Sequence, residues 1–168
     1  ESDISLNINQ KILKKAHPSW ENYDVILGEH IFLDQIPLIK IIKYGKTAFL
    51  RNPKAIFKKG RTIRFQFDMF HGNGVLDKAI NLLDQNDRED FEFYVRNNVS
   101  FNCGNMFICR SKELMIRYYE TIFPWLEKCE ATFGFKLKGY ESRIYGFLAE
   151  RFMAFWFNKH SKVLEIPV

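Results

Sequence analysis

Residues 100–113 read SFNCGNMFICRSKE, an apolar strand that runs into a helix. A strand that feeds directly into a helix places the chain among mixed α/β folds. Phe101, Phe107 and Ile108 are strand formers, and Ser111 stands where a helix N-cap is wanted, just ahead of KELMIRYYETIFPWLEKCEATFG. That helix is expected to end at Gly134 and to kink at Pro124. Two amides, Asn102 and Asn105, interrupt the strand over 99–109. A buried amide with no partner is unfavourable, so these two ask for something to bind. Alternation sends positions 102 and 105 to opposite faces, and a bulge near Gly104 could change that.

Downstream, the turn KLKG leads to a last helix, YESRIYGFLAERFMAFWFNKH, and a short terminal strand, VLEIPV. Upstream, YDVIL (23–27) is a short apolar run bounded by polar residues and predicts a buried strand. The β-branched IPLIKIIKYG (36–45) predicts another. TIRFQFDMF (62–70) alternates Ile63, Phe65, Phe67 and Met69 against Thr62, Arg64, Gln66 and Asp68, the period of a half-buried strand. HGNG breaks it at 71–74; helices follow in VLDKAINLLDQN and REDFEFYVRNN, and a basic helix is expected at 6–16 until AHPSW ends it. With no repeat, low-complexity tract or flexible linker, the expectation is one mixed α/β domain over 1–168, a mixed sheet flanked by helices.

Composition supports a globular domain. At 168 residues the chain is long enough to bury a core. Its 16% aromatic content, led by seventeen Phe, predicts a bulky core or an aromatic-lined groove. No run approaches the roughly 18 apolar residues of a membrane span, and the start shows no signal-peptide pattern. The first residue is Glu1, not Met, so a piece of a longer chain is expected. Cys103, Cys109 and Cys129, odd in number, form no CxxC pair, which argues for a reducing compartment and against a disulfide framework or a zinc ribbon. The net charge is +5, with Lys and Arg concentrated over residues 40–64. Such a stripe is either a solvated loop region or a surface for phosphates, nucleic acid or an anionic membrane.

The last helix carries the most chemistry. Wound at about 100° per residue, it gathers Ile144, Phe147, Leu148, Phe152 and Phe155 into a stripe that also contains Arg151. A guanidinium there needs a partner: a structural carboxylate, or a phosphate or sugar acid. Arg143 and Glu150 flank the stripe, and Glu141 stands at the helix start, where the dipole favours a carboxylate. Either glutamate could be a general base or bind a sugar hydroxyl. Asp68 and His71 stand where a strand is expected to end in a Gly-rich turn, a position that faces ligands in α/β sheets. DQNDRED (84–90) reads as a capping cluster, not a metal site. No Walker loop, GxGxxG, GxSxG or HExxH occurs.

On these residues the chain resembles a family of bacterial capsule and exopolysaccharide glycosyltransferases with the GT-A fold. The likeness is carried by NMFICRSKELMIRYYETIFPWLEKCE, GYESRIYGFLAERFMAFWF and KVLEIPV, with YDVIL and QFDMFHGNGVLDKAINLL also fitting, over residues 20–168. It implies transfer of a sugar from a nucleotide-sugar donor to a glycan or lipid-linked glycan acceptor, at the cytoplasmic face of the membrane with peripheral membrane contact. It implies that Asn102, Asn105 and Gly104 line the cleft floor, with Asn105 favoured. Glu150, Arg151 and Arg143 match the family's last helix, and Asp68 and His71 its central turn. By implication Glu150, Asp68 and Glu141 are the candidate catalytic groups, and Asn105, Asn102, Gly104, His71, Arg143 and Arg151 bind substrate.

The fold usually carries a DxD motif for a divalent metal, Mn or Mg, in its nucleotide-binding half. This chain has no DxD and lacks the family's upstream His-Tyr-Arg-Arg segment, so what is present resembles the C-terminal, acceptor-side portion. The competing readings are a non-catalytic carbohydrate- or nucleotide-binding module and a nucleic-acid binder. The basic run matches no nucleic-acid reader motif, so no nucleic acid is expected.

Overall fold

The computed structural model describes residues 16–133 and 143–167. The basic helix expected at 6–16, Ala16 apart, lies outside these residues, as do Gly134, the KLKG turn and Glu141. The fold is mixed α/β. Strands β1 (Val25–Gly28), β2 (His30–Phe32), β3 (Ser100–Asn102), β4 (Phe107–Cys109) and β5 (Val163–Ile166) form two small sheets. In the first, β1 lies between β4, antiparallel (Val25 opposite Cys109), and β5, parallel (Val25 opposite Val163). In the second, β2 and β3 pair antiparallel, His30 opposite Asn102. A His30–Glu165 contact of 2.8 Å ties the two sheets together.

Among the described residues seven α-helices cover them: α1 (Leu38–Tyr44), α2 (Lys46–Arg51), α3 (Ile63–His71), α4 (Val75–Ile80), α5 (Gln85–Asn97), α6 (Lys112–Phe133) and α7 (Ile144–His160). Two expected strands are therefore helices. In 36–45, Pro37 opens α1 and Gly45 closes it, and only Ile41 of the helix is buried. The β-branched side chains are a weak prior that this local punctuation overrides.

The alternating stretch at 62–70 is α3, capped where Thr62 Oγ1 accepts the Phe65 N–H at 3.3 Å. The alternation has a physical source. Ile63 and Phe67 pack into the main core, whereas Phe65 and Met69 pack into a second, smaller one with Ile41, Ala48 and Ala55. Each pair is spaced i,i+4 along one face, and the two faces are about 180° apart. A helix squeezed between two cores thus shows every second residue buried, the signature of a strand.

The stretch expected as one strand over 99–109 is two strands in different sheets. Gly104, at φ +80°, turns the chain between them. That conformation is open to glycine and strained for a side chain. Beyond it, Ser111 caps α6 as expected, its Oγ accepting the Leu114 N–H at 3.1 Å, and α6 runs on through Pro124.

The main core is aromatic. Phe91, Trp125, Phe152 and Phe155 meet edge-on or tilted, the arrangement ring quadrupoles favour. Trp125 Nε1 donates to the Ala79 carbonyl at 2.7 Å, so its one polar atom is satisfied inside the core. Residues Arg151–Phe157 of α7 are all buried, making it the central helix. The 84–90 cluster begins α5, and its Asp87 pairs with Lys159 at 2.9 Å.

Candidate functional site

The Gly104 turn is stapled to the first half of α7. Its N–H donates to Glu150 Oε1 at 2.5 Å, and Asn105 Nδ2 donates to the Gly146 carbonyl at 2.9 Å. The other oxygen of Glu150 accepts from Arg151 Nη1. Arg151 is 2% exposed. Its Nη2 donates to Gln66 Oε1 at 2.8 Å, and its guanidinium lies 4.5 Å from the Phe101 ring centre and 5.6 Å from that of Phe67. The structural alternative for Arg151 is therefore met: a packed stem, a carboxylate and two aromatic faces hold it.

His71 reaches this cluster from α3. Its ring stacks on Phe147 at 3.9 Å and 20°, and meets Phe67 edge-on at 5.0 Å. Burial, with the Arg151 charge adding to it, lowers the His71 pKa to about 4. At neutral pH the imidazole is therefore uncharged, with one donor and one acceptor nitrogen. Arg143, exposed at the N-terminus of α7, lies 5.6 Å from the Phe147 ring centre on the same rim.

The remaining candidates are engaged elsewhere. Asp68 belongs to helix α3, so the expectation that it and His71 end a strand is corrected. Its carboxylate is buried and accepts the Gly74 N–H at 2.8 Å, clasping the turn after α3, with Arg64 at 4.0 Å. Burial raises its pKa. Asn102 is fully buried and donates to the Gly28 carbonyl at 2.7 Å. Its Oδ1 has no hydrogen-bond partner among the described residues. Of the two amides in the 100–113 stretch, one is sealed between strands and the other, Asn105, is exposed.

Sequence reasoning missed Gln66, Phe147 as a ring platform, and Gly146 as an acceptor. Gln66 was the findable one: a neutral amide between Phe65 and Phe67 that, read on a helix, points at whatever α7 presents. Two shallow cavities, of about 200 and 180 Å³, lie along the β4–β1–β5 sheet. The second touches the Gly104 turn through Cys103 and Met106; the first is lined by His17, Trp20, Tyr23 and Arg110 and shares no residue with the cluster. Among the described residues no three His, Cys, Asp or Glu side chains converge as a metal site requires. No helix among them is long and apolar enough to cross a membrane.

The profile of one protein family, described as Domain of unknown function (DUF4422), matches residues 38–161, and the chain belongs to that family. No curated protein and no solved structure matches it.

Proposed function

We propose that this chain is the acceptor-side part of a glycosyltransferase, which moves a sugar from a nucleotide-sugar donor to a hydroxyl of a growing bacterial surface polysaccharide. The observation that carries the reading is the Glu150 carboxylate. It is 17% exposed and held between the Gly104 amide and Arg151, next to the exposed amide of Asn105. As the acceptor oxygen bonds to the anomeric carbon, its proton must leave while the bond to the phosphate breaks. A carboxylate offers about four lone-pair sites. Two are taken here, so Glu150 can still receive that proton. On the same side of the cluster His71 stacks on Phe147 at 3.9 Å, with Arg143 5.6 Å from the Phe147 ring centre.

One observation favours a second reading, a binding module without turnover. Both oxygens of Glu150 already serve the fold, as they would in a site kept for binding alone.

A thermal-shift screen against UDP-, GDP- and CMP-sugars, paired with a nucleotide-release assay, tests both. Ligand at ~100 times its dissociation constant adds about 2.7 kcal/mol of stability. A shift with one nucleotide class, lost in Asn105→Ala and accompanied by nucleotide release, supports the transferase. A shift without release supports the module. No shift in a folded sample removes the donor from this chain.

A further inference from the structure

We infer that residues 38–59 form a docking surface for an anionic lipid bilayer. Peripheral membrane contact is also what the resemblance implies; the inference places it on residues that the transferase reading does not use, so the two fail separately. Between positions 35 and 67 the chain carries nine Lys and Arg and not one Asp or Glu. Structure sorts these cations into two groups. Arg61 is buried and spends its guanidinium on the carbonyls of Asp34, Ile36, Ala55 and Ile56. Arg64 pairs with Asp77 at 2.5 Å, and Arg51 leans toward Gly74, Asp68 and Asp77. The other six, Lys40, Lys43, Lys46, Lys54, Lys58 and Lys59, are exposed. Lysine ion pairs among the described residues lie elsewhere, at Lys128 and Lys159.

The same segment exposes large apolar side chains. Ile39 is 70% exposed, Leu50 80% and Phe57 71%, with Leu38, Ile42 and Ile56 beside them in sequence. Their direction follows from the small core. Ile41 of α1, Ala48 of α2 and Ala55 of the following 3-10 turn are all buried against Phe65 and Met69 of α3. On α1, Leu38, Ile42 and Ile39 span an arc of about 100°, and Lys43 follows about 40° beyond it. On α2, Leu50 lies about 160° from Ala48, so it faces away from α3. Each piece thus turns one residue inward and its largest apolar side chains outward.

Exposed apolar groups of this size in a monomer mark an interaction surface. The six exposed lysines of the same segment, with no ion pair among the described residues, select the partner. Apolar side chains that enter the acyl boundary while lysine heads stay among phosphates are the arrangement of an interfacial membrane binder. A nucleic acid would be met by cations and stacking rings; Tyr44 and Phe57 are exposed rings, but the other five exposed apolar side chains, Leu38, Ile39, Ile42, Leu50 and Ile56, are aliphatic and give bases nothing to stack on.

The experiment is sedimentation of the full chain with vesicles of mixed phosphatidylglycerol and phosphatidylcholine, against vesicles of phosphatidylcholine alone. Binding is expected to be at least about tenfold tighter to the anionic vesicles and to weaken with salt. Lys40→Glu with Lys43→Glu should weaken it at least about thirtyfold. Leu50→Ser with Phe57→Ser should weaken it at least about tenfold while leaving its salt dependence in place. In a third variant, Phe57→Trp, the emission should move to the blue on anionic vesicles only. All these positions are exposed, and unchanged melting temperatures would verify that the variants fold. Failure to sediment, equal binding to both vesicles, or binding indifferent to both double variants overturns the inference. So does a folded protein whose Leu50/Phe57 variant loses RNA binding or self-association and keeps its vesicle binding.

Discussion

Glu150 and Gly104, 46 positions apart, are joined by a 2.5 Å hydrogen bond from the glycine amide to the carboxylate. The same carboxylate neutralises the buried Arg151. One side chain therefore fixes a turn and balances a charge. Glu150→Gln keeps an acceptor for the turn but sets a neutral amide against the guanidinium. It is expected to lower stability by about 3 kcal/mol, read as a drop in urea midpoint at unchanged slope. If Glu150 is also the base, nucleotide release falls at least about 100-fold at temperatures where the variant is still folded.

His71 makes stability depend on pH. Its folded pKa of about 4 lies below the ordinary 6.5, so between those values the unfolded chain binds more protons. The stabilisation is complete above pH 6.5 and is lost as pH falls toward 4, by about 3 kcal/mol at most. Asp68 acts in the opposite sense, since burial raises its pKa and favours the folded state when it is protonated. The informative measurement is the difference between the wild type and His71→Phe, which keeps the ring on Phe147. The variant should lose less stability between pH 6.5 and pH 4.

The two amides of the 100–113 stretch should separate in a melting experiment. Asn102→Ala strips a buried donor from the Gly28 carbonyl and is expected to cost about 2 kcal/mol. Asn105→Ala, at an exposed bond, should cost less than about 1 kcal/mol. Equal losses would mean that the buried bond is no stronger than the exposed one.

Arg61 gathers four backbone carbonyls from two segments. Arg61→Lys offers a compact ammonium where a flat fork is needed, and a loss of about 2 kcal/mol is expected. Its neighbour Gly60 is equally constrained, because an added Cβ would lie 2.0 Å from the Lys54 carbonyl oxygen. Gly60→Ala should therefore lower the melting temperature although residues 58–59 beside it are exposed.

The legible parts of the fold were those set by local chemistry. YDVIL gave β1, Ser111 capped α6, and the stripe on α7 held Arg151 inside it. Where two interactions overlay one segment, the pattern misled. Helix α3 between two cores mimics a strand, and Gly104 divides one apolar run between two sheets. For the site, α7 and the Gly104 turn supplied residues that do meet, Glu150, Arg151, Asn105 and Gly104. Their partner Gln66 was hidden by the strand reading, in which it points away from the apolar face.

Strand β1 has consequences for how the chain is made. Its neighbours β4 and β5 come from positions 107–109 and 163–166, so during synthesis Val25, Ile26 and Leu27 leave the ribosome long before either arrives. Until Phe107–Cys109 emerge they are unpaired on both sides, and until Ile166 emerges one edge stays open, the kind of segment that recruits chaperones or other nascent chains. Closing a loop of that length is slow as well as late. The yield of native protein should therefore respond to translation speed and chaperone supply.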